Sequence, residues 1–178
     1  SSTEKFYCNF RARSFYHATS ITCKGNAARG TTFRLAAMPQ QFDTYMRDFN
    51  FGIMATEDGT TVNITDFDTD VEFFDLAGNI LSDTLSFILD SGECYVAAGY
   101  MDVPGNLDGI VGGLIQADKP IVLNNGSWCG SIASTGNQDI GMDQSVPVDI
   151  LGTEYILIRG DGDNEMERPL VIAHTDGT

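Results

Sequence analysis

Calcium needs several oxygen ligands on a chain loose enough to wrap it, and two stretches offer them. Asp161-Gly162-Asp163-Asn164-Glu165 supplies carboxylate or amide oxygens at Asp161, Asp163, Asn164 and Glu165 around one glycine. Asp66, Asp68 and Asp70 alternate like the start of a calcium loop, but Val71 and Ala77 stand where an EF-hand needs glycine and glutamate. Each stretch also reads as a solvated acidic turn. A second chemistry is ring stacking on a sugar face. Trp128, the single tryptophan, precedes a polar, glycine-bearing stretch in which Asn137, Gln138 and Asp139 are the ligand-facing candidates. The competing reading packs Trp128 against a disulfide at Cys129 as core. Covalent chemistry has less to recommend it. Gly126-Ser127-Trp128-Cys129-Gly130 resembles a reactive-thiol motif only in part, and His17 and His174 lie in strand-like contexts that suit structural roles. With 25 acidic residues some carboxylate pair is always within reach, so such a pair carries no information. No catalytic centre is expected.

Four cysteines, Cys8, Cys23, Cys94 and Cys129, include no C-x-x-C pair, and with two histidines they make a poor zinc set. Two disulfides, Cys8–Cys23 and Cys94–Cys129, fit an oxidising compartment, each tying strands within one region. Four buried free thiols fit the count equally. The tripeptide Arg159-Gly160-Asp161 and the sequons at Asn63 and Asn125 are short enough to arise by coincidence.

The elements that must hold these residues are strands. Composition is globular, with 42% apolar and 20% charged residues, and 19 glycines supply turns. Val62 and Ile64 share one face of a strand, as do Leu85, Phe87 and Leu89. Asp90-Ser91-Gly92 then predicts a hairpin into 93–98. Asp118-Lys119-Pro120 reads as a turn opening Ile121–Leu123, and Asn125-Gly126 as the turn closing it. Further strands are expected at 5–10, 31–35, 50–55, 154–158 and 170–173. No long amphipathic helix and no apolar run of bilayer length is evident. A net charge of −15 repels phosphate backbones and anionic headgroups, which argues against nucleic-acid and membrane-surface partners.

One segment echoes another. Ile53-Met54-Ala55-Thr56-Glu57-Asp58-Gly59-Thr60 is matched by Val171-Ile172-Ala173-His174-Thr175-Asp176-Gly177-Thr178, and Gly30-Thr31-Thr32-Phe33 by Gly152-Thr153-Glu154-Tyr155. The offsets are 118 (178 − 60) and 122 (152 − 30), so the expectation is an antiparallel β-sandwich-like, all-β chain with an internal repeat. A first unit then spans 30–151, a second starts at 152–178, and the native polypeptide is expected to continue beyond Thr178.

The motifs Ala55-Thr56-Glu57-Asp58-Gly59-Thr60-Thr61-Val62-Asn63-Ile64, Leu89-Asp90-Ser91-Gly92-Glu93-Cys94-Tyr95 and Ala117-Asp118-Lys119-Pro120-Ile121-Val122-Leu123 resemble, in that order, the IgGFc-binding protein N-terminal domain family. Asp143-Gln144-Ser145-Val146-Pro147-Val148 and Gly152-Thr153-Glu154-Tyr155 continue the likeness. The stretch from Lys24-Gly25 to Met38-Pro39 is similar to its bacterial branch, in very large surface proteins of Bacteroidetes. That resemblance implies a non-catalytic structural or adhesive module, exported by the type 9 route and acting in adhesion or gliding. Its implied partners are surface polysaccharide, other cell-surface or secretion-system proteins, and neighbouring domains of the same chain. The alternative from another class is a carbohydrate-binding or accessory domain of a carbohydrate-active enzyme.

Overall fold

The computed structural model describes residues 3–13, 17–38, 48–81, 85–100, 102–130, 139–162, 167 and 169–175. Among them run β1 (Asn9–Arg13), β2 (Ala18–Thr22), β3 (Gly30–Arg34), β4 (Asp48–Ala55), β5 (Thr60–Thr65), β6 (Leu85–Leu89), β7 (Cys94–Tyr100), β8 (Leu114–Gly130) and β9 (Asp139–Gln144). Every ladder between them is antiparallel. The antiparallel all-β class read from the sequence is therefore the observed one.

β8 organises the rest. At Leu114–Gln116 it is flanked by β3 and β5, and at Asn124–Ser127 by β4 and β9. β6 lies outside β5 and β7 outside β4. One strand thus runs through two arrays, β6-β5-β8-β3 and β7-β4-β8-β9, whose inner faces make a single core. Period-two alternation supplies that core with Phe33, Phe49, Phe51, Ile53, Val62, Ile64, Ile115, Ile121 and Leu123, all buried. Phe73, between β5 and β6, meets Phe49, Phe51 and Phe67 edge-on at centroid distances of 5.9, 6.1 and 4.9 Å. Each fully buried phenylalanine contributes about 2–3 kcal/mol of apolar transfer free energy.

The break between arrays falls at residues 118–120. β5 stops pairing at Ala117, β4 begins at Ile121, and β3 jumps from Gln116 to Ile121. No ladder needs the N–H that Pro120 lacks, so proline is tolerated inside a central strand. Two other segments cross beside it, 56–59 between β4 and β5 and 90–93 between β6 and β7. Asp90 accepts from the Gly59 amide at 2.9 Å and Asp58 from the Ser91 amide at 3.0 Å. Lys119 donates through its amine to the Asp58 and Gly59 carbonyls at 2.5 and 3.2 Å. Asp118 takes the Thr61 amide at 2.8 Å, and Thr56 donates its hydroxyl to the Pro120 carbonyl at 2.7 Å.

Several expectations are corrected here. Asp90-Ser91-Gly92 makes a tight turn, with the Glu93 amide on the Asp90 carbonyl, but β6 pairs with β5 and β7 with β4, so no β6–β7 hairpin forms. The turn hands the chain from one array to the other. Neither Lys119-Pro120 nor Asn125-Gly126 interrupts β8. Asn125 is buried, accepting the Ala36 amide at 2.5 Å and donating to the Ser145 hydroxyl, so it joins β8 to both flanks. Gly126 has φ +145°, and a Cβ there would lie 2.0 Å from the Gly141 carbonyl oxygen of β9. The first strand starts at Asn9 rather than Lys5, and 154–158 and 170–173 form no strand among the described residues.

Gly126→Ala is expected to lower unfolding free energy by about 2–4 kcal/mol, because backbone strain adds to the displacement of β9. Urea unfolding of the variant beside the parent measures it.

Candidate functional site

The end of β8 far from the crossings is where chemistry-bearing side chains meet. Between Ser127 and Gly130 the ladder to β9 shifts register, β8 advancing three residues (127 to 130) while β9 advances two (141 to 139). Such a bulge bends its strand and re-aims side chains. Ser127 and Cys129 point inward, and Trp128 is 46% exposed. Ser127 accepts the Met38 amide at 2.9 Å, which pins the inner side of the bulge.

β2 lies against β9 and is fastened near both ends. At one end Lys24 forms an ion pair with Asp143 at 2.7 Å and donates its backbone amide to the Gln144 side-chain oxygen at 2.5 Å. At the other, His17 precedes β2, and its Nδ1 stands 3.5 Å from Oδ1 of Asp139, the first residue of β9. The same imidazole turns Nε2 to the Cys129 sulfur at 4.0 Å. Carboxylate, imidazole and thiol thus lie in series across three elements. The Asp139 side chain is 65% exposed and that of His17 27%, while Cys129 is 7% exposed, so the series runs from solvent inward. Asp139 also accepts its neighbour Ile140's amide at 2.8 Å, which fixes the carboxylate at the strand start.

The other expected sites fall as follows. Asn137 and Gln138 lie outside the described residues, leaving Trp128 and Asp139 of that group in view. Trp128 does not pack as core against a disulfide: it faces outward, and Cys129 forms no disulfide. Cys8 and Cys23 oppose each other as β1 and β2 converge, with the Cys23 amide donating to the Cys8 carbonyl at 3.0 Å. A hydrogen bond to the Cys8 sulfur, with burial second, raises the Cys23 thiol above its usual range. The Cys94–Cys129 pairing is corrected. Cys94 sits opposite Met54 and Ser127 opposite Phe49, so five residues of β4, about 17 Å, separate those rungs. A disulfide spans less than about 7 Å between Cα atoms.

Of the acidic loop, Asp161 is exposed, while Asp163, Asn164 and Glu165 lie outside the described residues. The adjoining backbone turns its amides toward the Glu167 carboxylate, Gly160 at 2.9 Å and Gly162 at 2.5 Å. Asp66 is held by Arg34 at 3.0 Å. Among the described residues no three His, Cys, Asp or Glu side chains converge as metal ligands would, and no helix is long and apolar enough to cross a membrane.

The sequence pattern pointed at Trp128 and Asp139 but separated them from His17. No local spacing joins position 17 to position 129; the shared β9 edge does. The partial thiol motif around Cys129 was the one signal that could have led there.

A family model described as IgGFc binding protein matches residues 18–178, the whole chain from β2 onward. No curated protein and no solved structure matches.

Proposed function

The chain belongs to the IgGFc binding protein family, and from that premise we propose that it is an adhesive module of a large secreted surface protein, of the kind used in attachment or gliding. Membership supports reading it as a binding module. The observation that carries the adhesive reading is Trp128, a half-exposed aromatic on the most constrained strand of the fold. A large amphipathic ring on a rigid base gains contact area at little entropic cost. Surface polysaccharide suits such a ring, with Asp139, paired across the ladder with Gly130, as a polar group on the same edge, and Asn137 and Gln138 as candidates from the sequence alone. The same observation favours a carbohydrate-binding accessory domain as the second reading. Trp128→Ala is expected to weaken binding to the recognised glycan at least about tenfold on an oligosaccharide array, with little change in melting because the ring is half-exposed. Undiminished binding by that variant and by Asp139→Asn would remove the polysaccharide reading.

Export into an oxidising exterior suits the first hairpin. Cys8 and Cys23 form a hydrogen-bonded cross-strand pair, whose Cα atoms stand about 5.5 Å apart in antiparallel sheets, inside the span a disulfide takes. Mild oxidation is expected to remove two hydrogens and join Cys8 to Cys23, with Cys94 and Cys129 recovered as thiols on peptide mapping. A map with both of the first pair still reduced would count against this assignment.

Residues 152–178 are read as the opening of a second unit. Their counterparts in the first are β3 and the end of β4, strands that in this fold lie beside β8. Tyr155, Ile156, Leu157, Ile158 and Val171 are exposed, Ile158 by 91%. They are strand-forming residues lacking a β8-like partner among the described residues. A chain cut after residue 151 is expected to keep its cooperative melt and bind less hydrophobic dye; loss of cooperative unfolding would assign the segment to the first unit instead. A calcium-stiffened 161–165 loop belongs to the same reading, and a melt unchanged by calcium or chelator would dismiss it.

A further inference from the structure

We infer that the outer edge of β1 is a self-association surface, and that its occupant is the 154–158 run of a second copy of this chain. β1 pairs with β2 alone, and β2 lies against β9, so one side of β1 carries no ladder among the described residues. An edge of that kind is a template for another strand. Residues 154–158 are the complementary case. Glu154-Tyr155-Ile156-Leu157-Ile158 is strand-forming in composition and exposed throughout, yet it joins no ladder of the described residues. The family match begins at residue 18, so β1 is an addition to the part of the chain that the family model describes.

Charge says which partner fits. Residues 1–24 hold four cations, Lys5, Arg11, Arg13 and Lys24, against the single acid Glu4, a net of +3. The rest of the chain therefore carries −18 (−15 − 3), so a second copy presents the acidic surface that the hairpin complements. Lys24 is engaged by Asp143, but Arg11 and Arg13 are exposed on β1, and Arg13 has no partner among the described residues. Register is equally definite. Antiparallel addition with Arg13 opposite Glu154 also sets Ala12 opposite Tyr155 and Phe10 opposite Leu157. Phe10 is 56% exposed and Leu157 70%, so both leave water in the contact. A cavity of about 530 Å³ bordered by Arg11, Arg13, Thr19 and Ser20 gives the Glu154 carboxylate a place to enter. A slip of one residue opposes Glu154 to Ala12 and loses the ion pair. The two patches differ, so the contact is head-to-tail and repeats from copy to copy. It rests on the reading of 152–178 as lacking a ladder partner, and is independent of whether Trp128 recognises a sugar.

The test is sedimentation of the intact chain, with its thiols kept reduced, over a range of protein and salt concentrations. The mass is expected to rise with protein concentration at low salt and to fall as salt screens the contact. Arg13→Glu and Glu154→Arg, each alone, are expected to weaken association at least about tenfold. An equal mixture of the two variants is expected to restore it, because the two reversed charges then face each other. Both positions are exposed, so neither change disturbs the core. A parent chain that stays monomeric throughout, single variants that associate as the parent does, or a mixture that stays apart would each overturn the inference. A monomeric parent that instead binds polygalacturonate, and loses that binding in Arg11→Ala and Arg13→Ala, would assign the edge to acidic polysaccharide. A chain cut after residue 151 separates this inference from the second-unit reading: a retained melt with self-association lost supports both, and a retained melt with self-association undiminished overturns this one alone. Trp128→Ala is expected to associate as the parent does, whatever it does to glycan binding.

Discussion

A strand that serves two sheets must change direction without stranding its backbone polar groups. β8 meets that constraint at residues 118–120, and much of the fold is arranged around the solution. Three chain segments pass from one array to the other at this corner. Each leaves amides and carbonyls that no ladder takes, and an unpaired buried group would cost about 1–3 kcal/mol. Neighbouring crossings satisfy one another instead. Asp58 and Asp90 exchange places as acceptors, Asp118 takes the Thr61 amide, and Lys119 bridges two carbonyls of the adjoining turn. A lysine suits that last task because three donors on a flexible stem can serve two oxygens without fixed geometry.

The same logic appears in the interior. Asn106 is fully buried between the 71–74 segment and the chain after β7. It accepts the Glu72 amide and donates to the Glu72 and Tyr100 carbonyls, at 2.9, 3.0 and 2.9 Å. Asn125 and Ser127 do comparable work where 35–38 passes β8. An apolar residue of similar size at any of these places would fill the volume yet leave backbone groups unmatched. Charge follows suit. Lys24, Arg29, Arg34, Lys119 and Arg159 all hold other parts of the chain, which removes half of the ten cationic side chains from easy use by a partner. The outer surface is correspondingly acidic.

Strand existence was legible from alternation alone, because a half-buried pleat writes period two into the sequence: Val62 and Ile64, or Leu85, Phe87 and Leu89, needed no tertiary information. Strand partnership was not. Asp90-Ser91-Gly92 has hairpin chemistry, and the local turn forms as that chemistry demands. Whether the flanking strands pair with each other or with β5 and β4 depends on where the second sheet lies. Asn125-Gly126 misled for a related reason. Glycine at positive φ and asparagine with free hydrogen-bonding capacity are what a two-residue turn needs. They are also what a central strand needs where β9 approaches at 2.0 Å from a would-be Cβ. Of the site, the exposed ring and Asp139 could be read from composition and loop context, whereas the His17 contact rests on β2 packing against β9.

The two ends of β8 are therefore unlike in a way that bears on function. At residues 118–120, β8 is flanked by crossings whose polar groups bond to one another, which leaves less there for a ligand. At its end, the bulge breaks the ladder, with Trp128 facing outward and Cys129 inside by the strand's own alternation. Only eight residues of continuous strand (128 − 120) separate Pro120 at the corner from Trp128, so the exposed ring stands on backbone fixed by the corner. The His17–Asp139 contact and the Lys24–Asp143 pair then hold the first hairpin over the same edge from opposite sides. Rigidity at one end is thus the condition for presenting side chains at the other, since a ring on a mobile loop would lose on binding the entropy that this strand has already given up on folding.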